Sequence, residues 1–423
     1  MTTGDMTPDG TTTGDMTSTG STTTGNTSKG STTTGNMTIG DMTTGERTAR
    51  AALCAIAEPG DTLINRMIDH TGAPGALDAI RSGRLPAELA PTEGEVRRLE
   101  HWRIRLRTAS PDEDLAVCDE MGIRLVCPGD PEWPTTLDDL GPARPYALWL
   151  RGPNDLRHGC LRSVAVVGSR AASPYGLRVA SDLSSQLAER GWTVVSGGAL
   201  GIDAAAHRGA LAADGPTVAA FANGVDVPYP AANDGLFAEM ARRSLLVSES
   251  PPGAPPNRLR FLVRNRVIAA LSRGTLIVEA ERRSGALNTA AWARKLGRAL
   301  MAVPGSVHSR TSEGCLRLLR EDPAATLITC CDEVIEMVGQ IGADLAPRPS
   351  GPVLPRDRLD PATRAVLEAF PSRGTAGPAQ LAATAGMDLP TVNGKLGLLS
   401  AAGFIERDAG GWRLTRAARS RSH

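Results

Sequence analysis

Between residues 163 and 303, short apolar runs alternate with helix-like segments, and this alternation limits the possible fold more than any other feature. The apolar runs are rich in Val, Leu, Ile and Ala and predict strands at 164–167, 192–196, 217–222, 245–248, 275–278 and 299–303. The segments between them predict helices at 174–190, 202–213, 232–243, 261–272 and 287–296. Short apolar strands joined by crossover helices are typical of a parallel sheet that is covered on both faces. We therefore expect an α/β fold with a doubly wound parallel sheet.

The rest of the chain divides into segments of different composition. Residues 1–45 repeat Thr, Gly and Ser, with STTTGN occurring twice, and predict a disordered leader because they cannot form a core. Residues 46–115 are rich in Ala and in helical patterns broken by Pro-Gly turns, and they predict a small helical domain. The sheet domain follows at 116–345 and includes strand-like pieces at 124–127 and 146–150. A Pro/Gly-rich linker at 346–357 then leads to a last domain at 358–423.

The last domain has the element order of a winged helix. Its pattern predicts helices at 363–370, 378–385 and 391–402, followed by a β-hairpin at 404–414. The third helix is the candidate recognition helix, and its polar side chains suited to nucleic acid are Asn393 and Lys395. With so few cations, sequence-specific reading of DNA is not expected from this domain.

Composition and charge exclude several classes of protein. No run approaches 18 apolar residues, and no basic patch precedes an apolar run at the N-terminus, so neither a membrane helix nor a secretory signal is predicted. The seven cysteines and six histidines are scattered, which is typical of a cytoplasmic protein without a metal site. The net charge is zero, yet residues 251–310 carry eleven Lys/Arg against two Asp/Glu, a local excess of +9 that suits a polyanionic partner.

Three glycine-containing segments predict an anion site at one sheet edge. Gly168-Ser169-Arg170 follows the first strand, Ser196-Gly197-Gly198 follows the second, and Ser284-Gly285 precedes the helix after the fifth. The carboxyl ends of parallel strands meet at one edge, where helix N-termini and glycine amides bind phosphate. The motifs GxGxxG and GxxxxGK[ST] are both absent from the sequence, so no nucleotide cofactor is expected. Tight turns that only pack helix on strand remain an alternative explanation of these glycines.

A basic segment, Phe261-Leu-Val-Arg264-Asn265-Arg266, opens the fourth helix. Arg264 and Arg266 are two residues apart, so they point to different sides of a helix and are suited to separate phosphates. An aromatic ring beside arginines is the composition of a surface that binds single-stranded nucleic acid, although a solvated helix end would have the same composition. Asp203 and His207 have the spacing of a possible catalytic pair, but a capping carboxylate and a partly buried histidine are favoured.

Together these segments resemble the family of the DNA-processing protein DprA, also called Smf. The resemblance covers about residues 120–340 and rests on VAVVGSRAASPYG at 164–176, SGGALGIDAAAH at 196–207, YPAANDGLF at 229–237, RNRVIAALSRGTLIVEA at 264–280, SGALNTA at 284–290 and AVPGS at 302–306. It implies an extended Rossmann-like domain that binds single-stranded DNA, forms homodimers and loads the RecA recombinase during natural transformation. It also implies a DNA pocket lined by Gly168, Ser169, Arg170, Ser196, Gly197, Gly198, Phe261, Arg264, Asn265, Arg266, Ser284 and Gly285.

Two positions near this pocket depart from the family pattern. The third strand usually ends in a Leu-Gly pair, and here it reads Ala220-Phe221-Ala222-Asn223-Gly224. Leu262 stands where a proline usually follows the phenylalanine. We expect a binding protein without catalytic activity, because no nucleophile–base pair or paired carboxylates occur at useful spacing. The alternative is a nucleoside-monophosphate phosphoribohydrolase of the lysine-decarboxylase-like group, whose PGGxGTxxE motif is matched only in part by SRGTLIVE at 272–279. A transcription regulator acting through the last domain ranks third.

Overall fold

The computed structural model describes residues 44–340, 344, 355–371 and 373–419. Contacts between residues divide the chain into two compact units, Met1–Leu327 and Ile328–His423. The leader predicted at 1–45 falls almost entirely outside the described residues, as does most of the linker predicted at 346–357.

The first unit contains a nine-stranded sheet that confirms the doubly wound parallel prediction. Its order is β1-β2-β6-β5-β4-β3-β7-β8-β9, and all neighbours from β6 to β9 are parallel. The six predicted strands are present, with ends that shift by at most one residue. The strands are β1 Ile123–Val126, β2 Leu148–Arg151, β3 Ser163–Val167, β4 Thr193–Ser196, β5 Thr217–Phe221, β6 Leu245–Ser248, β7 Gly274–Ile277, β8 Ala299–Ala302 and β9 Ala325–Leu327.

β1 and β2 extend the sheet beyond β6, and both pairings, β1 with β2 and β2 with β6, are antiparallel. The sequence predicts strand-like pieces here but not their pairing, which depends on the distant strand β6. Trp149 of β2 pairs with Ser248 of β6, and Arg124 of β1 pairs with Leu150 of β2. Local patterning carries no information on such long-range partners, so sheet membership is decided by tertiary contacts.

Helices cover both faces of this sheet. Helix α6 illustrates the local signals: the Ser173 Oγ accepts a hydrogen bond from the amide of Gly176 at 3.1 Å, and Pro174 occupies the first turn. The helices of the first unit are α1 Thr44–Ile56, α2 Thr62–Ser82, α3 Glu93–Leu106, α4 Pro111–Glu120, α5 Leu156–Leu161, α6 Pro174–Glu189, α7 Ile202–Ala212, α8 Asp234–Arg243, α9 Arg258–Ala270, α10 Ala286–Lys295 and α11 Glu313–Glu321.

The predicted start of α9 at residue 261 is wrong, because the helix begins three residues earlier. Asn257 caps it: the Asn257 side chain accepts a hydrogen bond from the amide of Leu259 at 2.9 Å. This cap places Phe261 inside the helix instead of at its start. The ring is therefore held on a regular backbone, and its direction is set by the helix.

The N-terminal helices share one apolar core with the sheet. Leu53 and Leu63 are fully buried in the same cluster as Trp149 of β2 and Phe221 of β5. Helices α7 and α8 contribute to this cluster too, whereas α9 and α10 pack in a second cluster with Val167 of β3. The helical segment is thus part of the covering of the sheet.

The second unit contains α12 Cys331–Val338, α13 Pro361–Glu368, α14 Pro378–Ala385, α15 Leu389–Ala401, the hairpin strands β10 Ile405–Asp408 and β11 Gly411–Leu414, and α16 Arg416–Arg419. From α13 onward, three helices are followed by a hairpin, which is the element order that the sequence predicts for 358–423. Lys395 of α15 pairs with Asp360 at 3.1 Å, so its charge is already compensated within the unit. Within the residues that the structure describes, no helix combines the length and hydropathy needed to cross a bilayer.

Leu53 tests whether the N-terminal helices and the sheet unfold together. We expect Leu53→Ala to lower the free energy of unfolding by about 2–5 kcal/mol, because it leaves a cavity in the shared cluster. Urea transitions followed by far-UV circular dichroism and by tryptophan fluorescence should shift together. Val96→Ala, at a half-exposed position on α3, is the control. A shift seen by one probe alone would contradict a shared core.

Candidate nucleic-acid interface

The candidate site lies where the order of the sheet reverses. From β3 the chain proceeds through β4, β5 and β6 on one side, then returns to place β7, β8 and β9 on the other. Loops leaving β3 and β7 therefore diverge and open a crevice at the carboxyl edge, the usual ligand position in such sheets. A cleft of about 450 Å³ occupies this position, with a lining that includes Gly168, Ser169, Arg170, Phe261, Arg264, Asn265, Ser284 and Gly285.

Phe261 stands at the cleft between two arginines and a second aromatic ring. The guanidinium carbon of Arg170 lies 5.3 Å from the centre of the Phe261 ring, and that of Arg264 lies 6.0 Å from it. The ring of Tyr229 is 5.6 Å away, tilted by 42°, and its residue is 44% exposed. Both arginine distances are those of cation–π contacts. The arrangement offers flat apolar surface next to fixed positive charge.

Tyr229 is a residue that the sequence analysis did not assign to the site. It begins the segment YPAANDGLF, which was recognised as a family motif without a role for its tyrosine. The motif marks the segment, but it does not show that Tyr229 contacts Phe261. That contact joins the loop after β5 to helix α9. Only the folded chain shows that these two aromatic residues are neighbours.

Arg264 is a buried charge beneath the cleft. Its Nη1 donates hydrogen bonds to the carbonyls of Gly197, at 2.7 Å, and Ala220. Burial lowers the pKa of Arg264 from its ordinary 12.5 to about 10, against the opposing effect of Asp203. The side chain is therefore charged at neutral pH, although only 6% of the residue is exposed. Arg264 therefore contributes positive charge to the cleft, whereas its burial leaves little of the side chain for direct contact with a ligand.

The Ser196–Gly198 loop packs against Arg264 through Gly197, and its residues are not part of the cleft lining. The Ser196 Oγ donates to the carbonyl of Val166 at 2.7 Å and joins β4 to β3. A Cβ on Gly197 would lie 2.6 Å from the guanidinium of Arg264, so this position has no room for a side chain. Gly198 has φ +69°, a conformation that favours glycine. Two of the three glycine segments thus meet the cleft directly, and the third supports it.

Arg266 is not brought to the cleft. It is 2% exposed and forms a doubly hydrogen-bonded ion pair with Glu249, both contacts at 2.6 Å. Its Nε also donates to the carbonyl of Ala143 at 2.8 Å. Arg264 and Arg266 do point to different sides of α9, as the spacing predicts. The side that Arg266 occupies is the protein interior, because β6 and the N-terminal segment cover it.

The third segment meets the cleft at the start of α10. The Ser284 Oγ accepts a hydrogen bond from the amide of Ala286 at 3.2 Å, and Asn265 donates to the carbonyl of Gly285 at 3.2 Å. Two further exposed arginines, Arg258 and Arg283, line the same cleft. They belong to the basic stretch at 251–310, whose charge excess was the sequence signal for them.

Asp203 and His207 make hydrogen bonds to different groups of the protein. The Asp203 carboxylate accepts hydrogen bonds from the amides of Gly197, at 3.2 Å, and Ala199, at 3.4 Å, and burial raises its pKa. His207 is fully buried, with Nδ1 2.7 Å from the Oγ1 of Thr217. Both side chains are structural, as the sequence analysis favoured, although His207 is more deeply buried than expected.

Several known proteins are similar to this chain in sequence or in fold. Residues 124–339 match the family described as DNA recombination-mediator protein A. A DNA processing protein DprA of Mycobacterium tuberculosis is 44% identical over 384 residues, which cover 88% of this chain and 95% of that protein. Protein Smf of Synechocystis is 33% identical over 285 residues, covering 67% and 70%. The X-ray structure of DprA from Streptococcus pneumoniae matches with a TM-score of 0.57 at 29% identity, covering 70% of this chain and 99% of that one.

Arg266 and Glu249 are expected to affect stability and not the cleft. Arg266→Ala leaves the Glu249 carboxylate buried without its partner, so we expect a loss of about 3–5 kcal/mol in the free energy of unfolding. The double variant Arg266→Met with Glu249→Leu should recover much of this loss, because it removes both charges. Urea denaturation measures both effects. A stable Arg266→Ala protein with altered nucleic-acid affinity would contradict this assignment.

His207 should make the protein sensitive to acid. Burial holds its pKa at about 3 in the folded protein, against an ordinary 6.5, so the unfolded chain binds the proton first as pH falls. The free energy of unfolding should therefore decrease below pH 6.5, by about 2 kcal/mol at pH 5.

The measurement is urea denaturation at pH 7 and pH 5. His207→Gln should reduce the difference between the two values, whereas His101→Gln, at an exposed position, should leave it unchanged. An equal pH dependence in the wild type and His207→Gln would exclude this histidine as the cause.

Proposed function

The chain belongs to the DNA recombination-mediator protein A family, and we propose that it binds single-stranded DNA in the cleft between β3 and β7. The observation that carries this proposal is the Phe261 ring, flanked by Arg170 and Tyr229. A base can stack on an aromatic side chain only when a face of the base is free. In a flexible single strand the faces of the bases are free. In a duplex both faces are already stacked on neighbouring base pairs.

Positive charge around the ring supports binding of the phosphate backbone. Arg170, Arg258 and Arg283 are exposed, and none of the three pairs with a carboxylate in the described part of the chain. The Ser284–Gly285 segment adds the dipole of the start of α10. The buried Arg264 contributes a further fixed charge from below. Affinity should therefore depend steeply on salt and little on base sequence.

Arg266 is left out of the proposed contact set, whereas Ser196, Gly197 and Gly198 are proposed to act by supporting Arg264. Arg266 is excluded because Glu249 and the carbonyl of Ala143 occupy its donors. The direct contacts that we propose are those of Arg170, Phe261, Asn265, Ser284 and Gly285, while Gly168 and Ser169 line the cleft at the base of the Arg170 loop.

Membership of the family also suggests a role for the bound strand. We propose that this protein is a cytoplasmic homodimer that protects incoming single strands and passes them to a RecA-type recombinase, without catalysing a reaction itself. The description of the matched family, DNA recombination-mediator protein A, supports a role in recombination. The second unit is proposed to be a winged helix with a protein partner, since Asp360 already pairs with Lys395.

The alternative function, hydrolysis of a nucleoside monophosphate, has little support at the residue that it would need. Glu279 ends the segment SRGTLIVE and is 2% exposed. Its two carboxylate oxygens accept hydrogen bonds from Ser173 and Thr311. A carboxylate engaged in this way is not free to act as a general base on a substrate.

A salt titration of binding tests the proposed function. Fluorescent oligo-dT should bind tightly and with a steep salt dependence, and a duplex of the same length should bind much more weakly. Binding would be measured by anisotropy across a range of potassium chloride concentrations. Equal affinity for the two, or release of free base from AMP, would contradict the proposal.

Arg170→Ala identifies the cleft as the place of binding. Removing one phosphate contact should reduce the slope of log affinity against log salt by about 0.7 and weaken binding to all sequences alike. Arg273→Ala is the matched control, because Arg273 is exposed just before β7 at the opposite edge of the sheet. If both variants bind like the wild type, the cleft is not the site.

A further inference from the structure

Glu279 follows β7 at the carboxyl edge of the sheet, and its carboxylate is directed at two neighbouring loops. One oxygen accepts hydrogen bonds from the Ser173 Oγ, at 2.6 Å, and the Thr311 Oγ1, at 2.9 Å. The other accepts the amide of Ser173 at 2.9 Å. All three contacts use the carboxylate as the acceptor, and together they hold both of its oxygens.

Glu279 has no basic side chain within ion-pair distance among the residues that the structure describes. What solvates its charge is the N-terminus of α6, because Ser173 is the N-cap of that helix. The approach is close: a Cβ on Gly176, in the first turn, would lie 2.3 Å from the carboxylate. Glycine at 176 therefore makes room for Glu279.

The same residue holds both ends of the loop that carries Arg170. At the start of the loop, the amide of Ser169 donates to the backbone carbonyl of Glu279 at 2.7 Å. At its end, the amide of Ser173 donates to the carboxylate. The three residues between these anchors, beginning with Arg170, have few remaining conformations.

We propose that Glu279 is a positioning residue, which holds the loop of residues 169–173 so that Arg170 lies beside the Phe261 ring. This inference rests on the proposed binding of single-stranded DNA. The backbone anchor at Ser169 does not depend on the side chain of residue 279. Side-chain variants therefore release the Ser173 end of the loop and the Thr311 contact. Thr311 is not part of the cleft lining, so the effect on binding should act through the placement of Arg170.

Glu279→Gln is the first test, since it keeps the size of the side chain but replaces an acceptor with a donor. We expect affinity for oligo-dT to fall roughly threefold to tenfold, which corresponds to the net contribution of one ordinary hydrogen bond. The salt slope should fall as it does in Arg170→Ala. In the Arg170→Ala background, Glu279→Gln should have almost no further effect, because both changes act on one contact.

Glu132→Gln is the matched control. Its carboxylate also accepts a backbone amide, that of Leu156, at 3.1 Å, and is bound by Arg124, but it lines no part of the cleft. It should leave the affinity and the salt slope unchanged. An effect of Glu279→Gln that equals that of Glu132→Gln, or that adds fully to Arg170→Ala, would overturn the proposal.

Gly176→Ala provides a second variant that keeps the carboxylate but displaces it from Ser173. It should reproduce the loss of affinity of Glu279→Gln, and it keeps the proposal testable if Glu279→Gln does not fold. Wild-type affinity in a folded Gly176→Ala protein would contradict the proposal.

Amide hydrogen exchange in the DNA-free protein separates this proposal from the proposed function. Exchange at Ser173 should accelerate in Glu279→Gln, whereas amides within α9 should exchange as in the wild type. Unchanged exchange at Ser173 would overturn the role of Glu279 even if oligo-dT binds. Failure of the wild type to bind oligo-dT would instead overturn the proposed function. The exchange rate at Ser173 would still test whether Glu279 holds the loop.

Discussion

The parallel pairing of β3 with β7 is the constraint on which the cleft depends. Val164 to Val167 pair in register with Gly274 to Ile277, although more than one hundred residues separate the two strands in the chain. This register ends both strands at the same level, so the loops that leave them begin side by side. One loop carries Arg170, the other carries Glu279 and Ser284, and the space between them is the cleft.

The arginines of helix α9 show how burial divides similar side chains among different roles. Arg260 pairs with Glu58 of the N-terminal segment, at 2.7 Å, and Arg266 pairs with Glu249 of the sheet region. Arg264 is bonded to backbone carbonyls below the cleft. The charge open to a ligand comes instead from Arg258, at the start of this helix, and from Arg170 and Arg283 in neighbouring loops. A basic segment in a sequence is thus a poor guide to which cation meets a phosphate.

Much of the fold was predictable because its signals are local. The apolar strands, the N-cap at Ser173 and the glycines at strand ends each depend on nearby residues, and their positions in the structure agree with the patterns. The pairing of β2 with β6, the contact between Tyr229 and Phe261 and the burial of Arg266 were not predictable. Each depends on residues far apart in sequence, so no local pattern records it.

The sequence by itself determined the sheet class, the strand ends that border the cleft, and the family motifs on which the proposed binding of single-stranded DNA rests. The tertiary structure decided which side chains meet there. It turned Arg266 into a structural ion pair, brought Tyr229 to Phe261, and made Glu279 the anchor of the Arg170 loop. The physical reason is that residue type sets what a group can bind, whereas burial and the positions of distant partners set what it does bind.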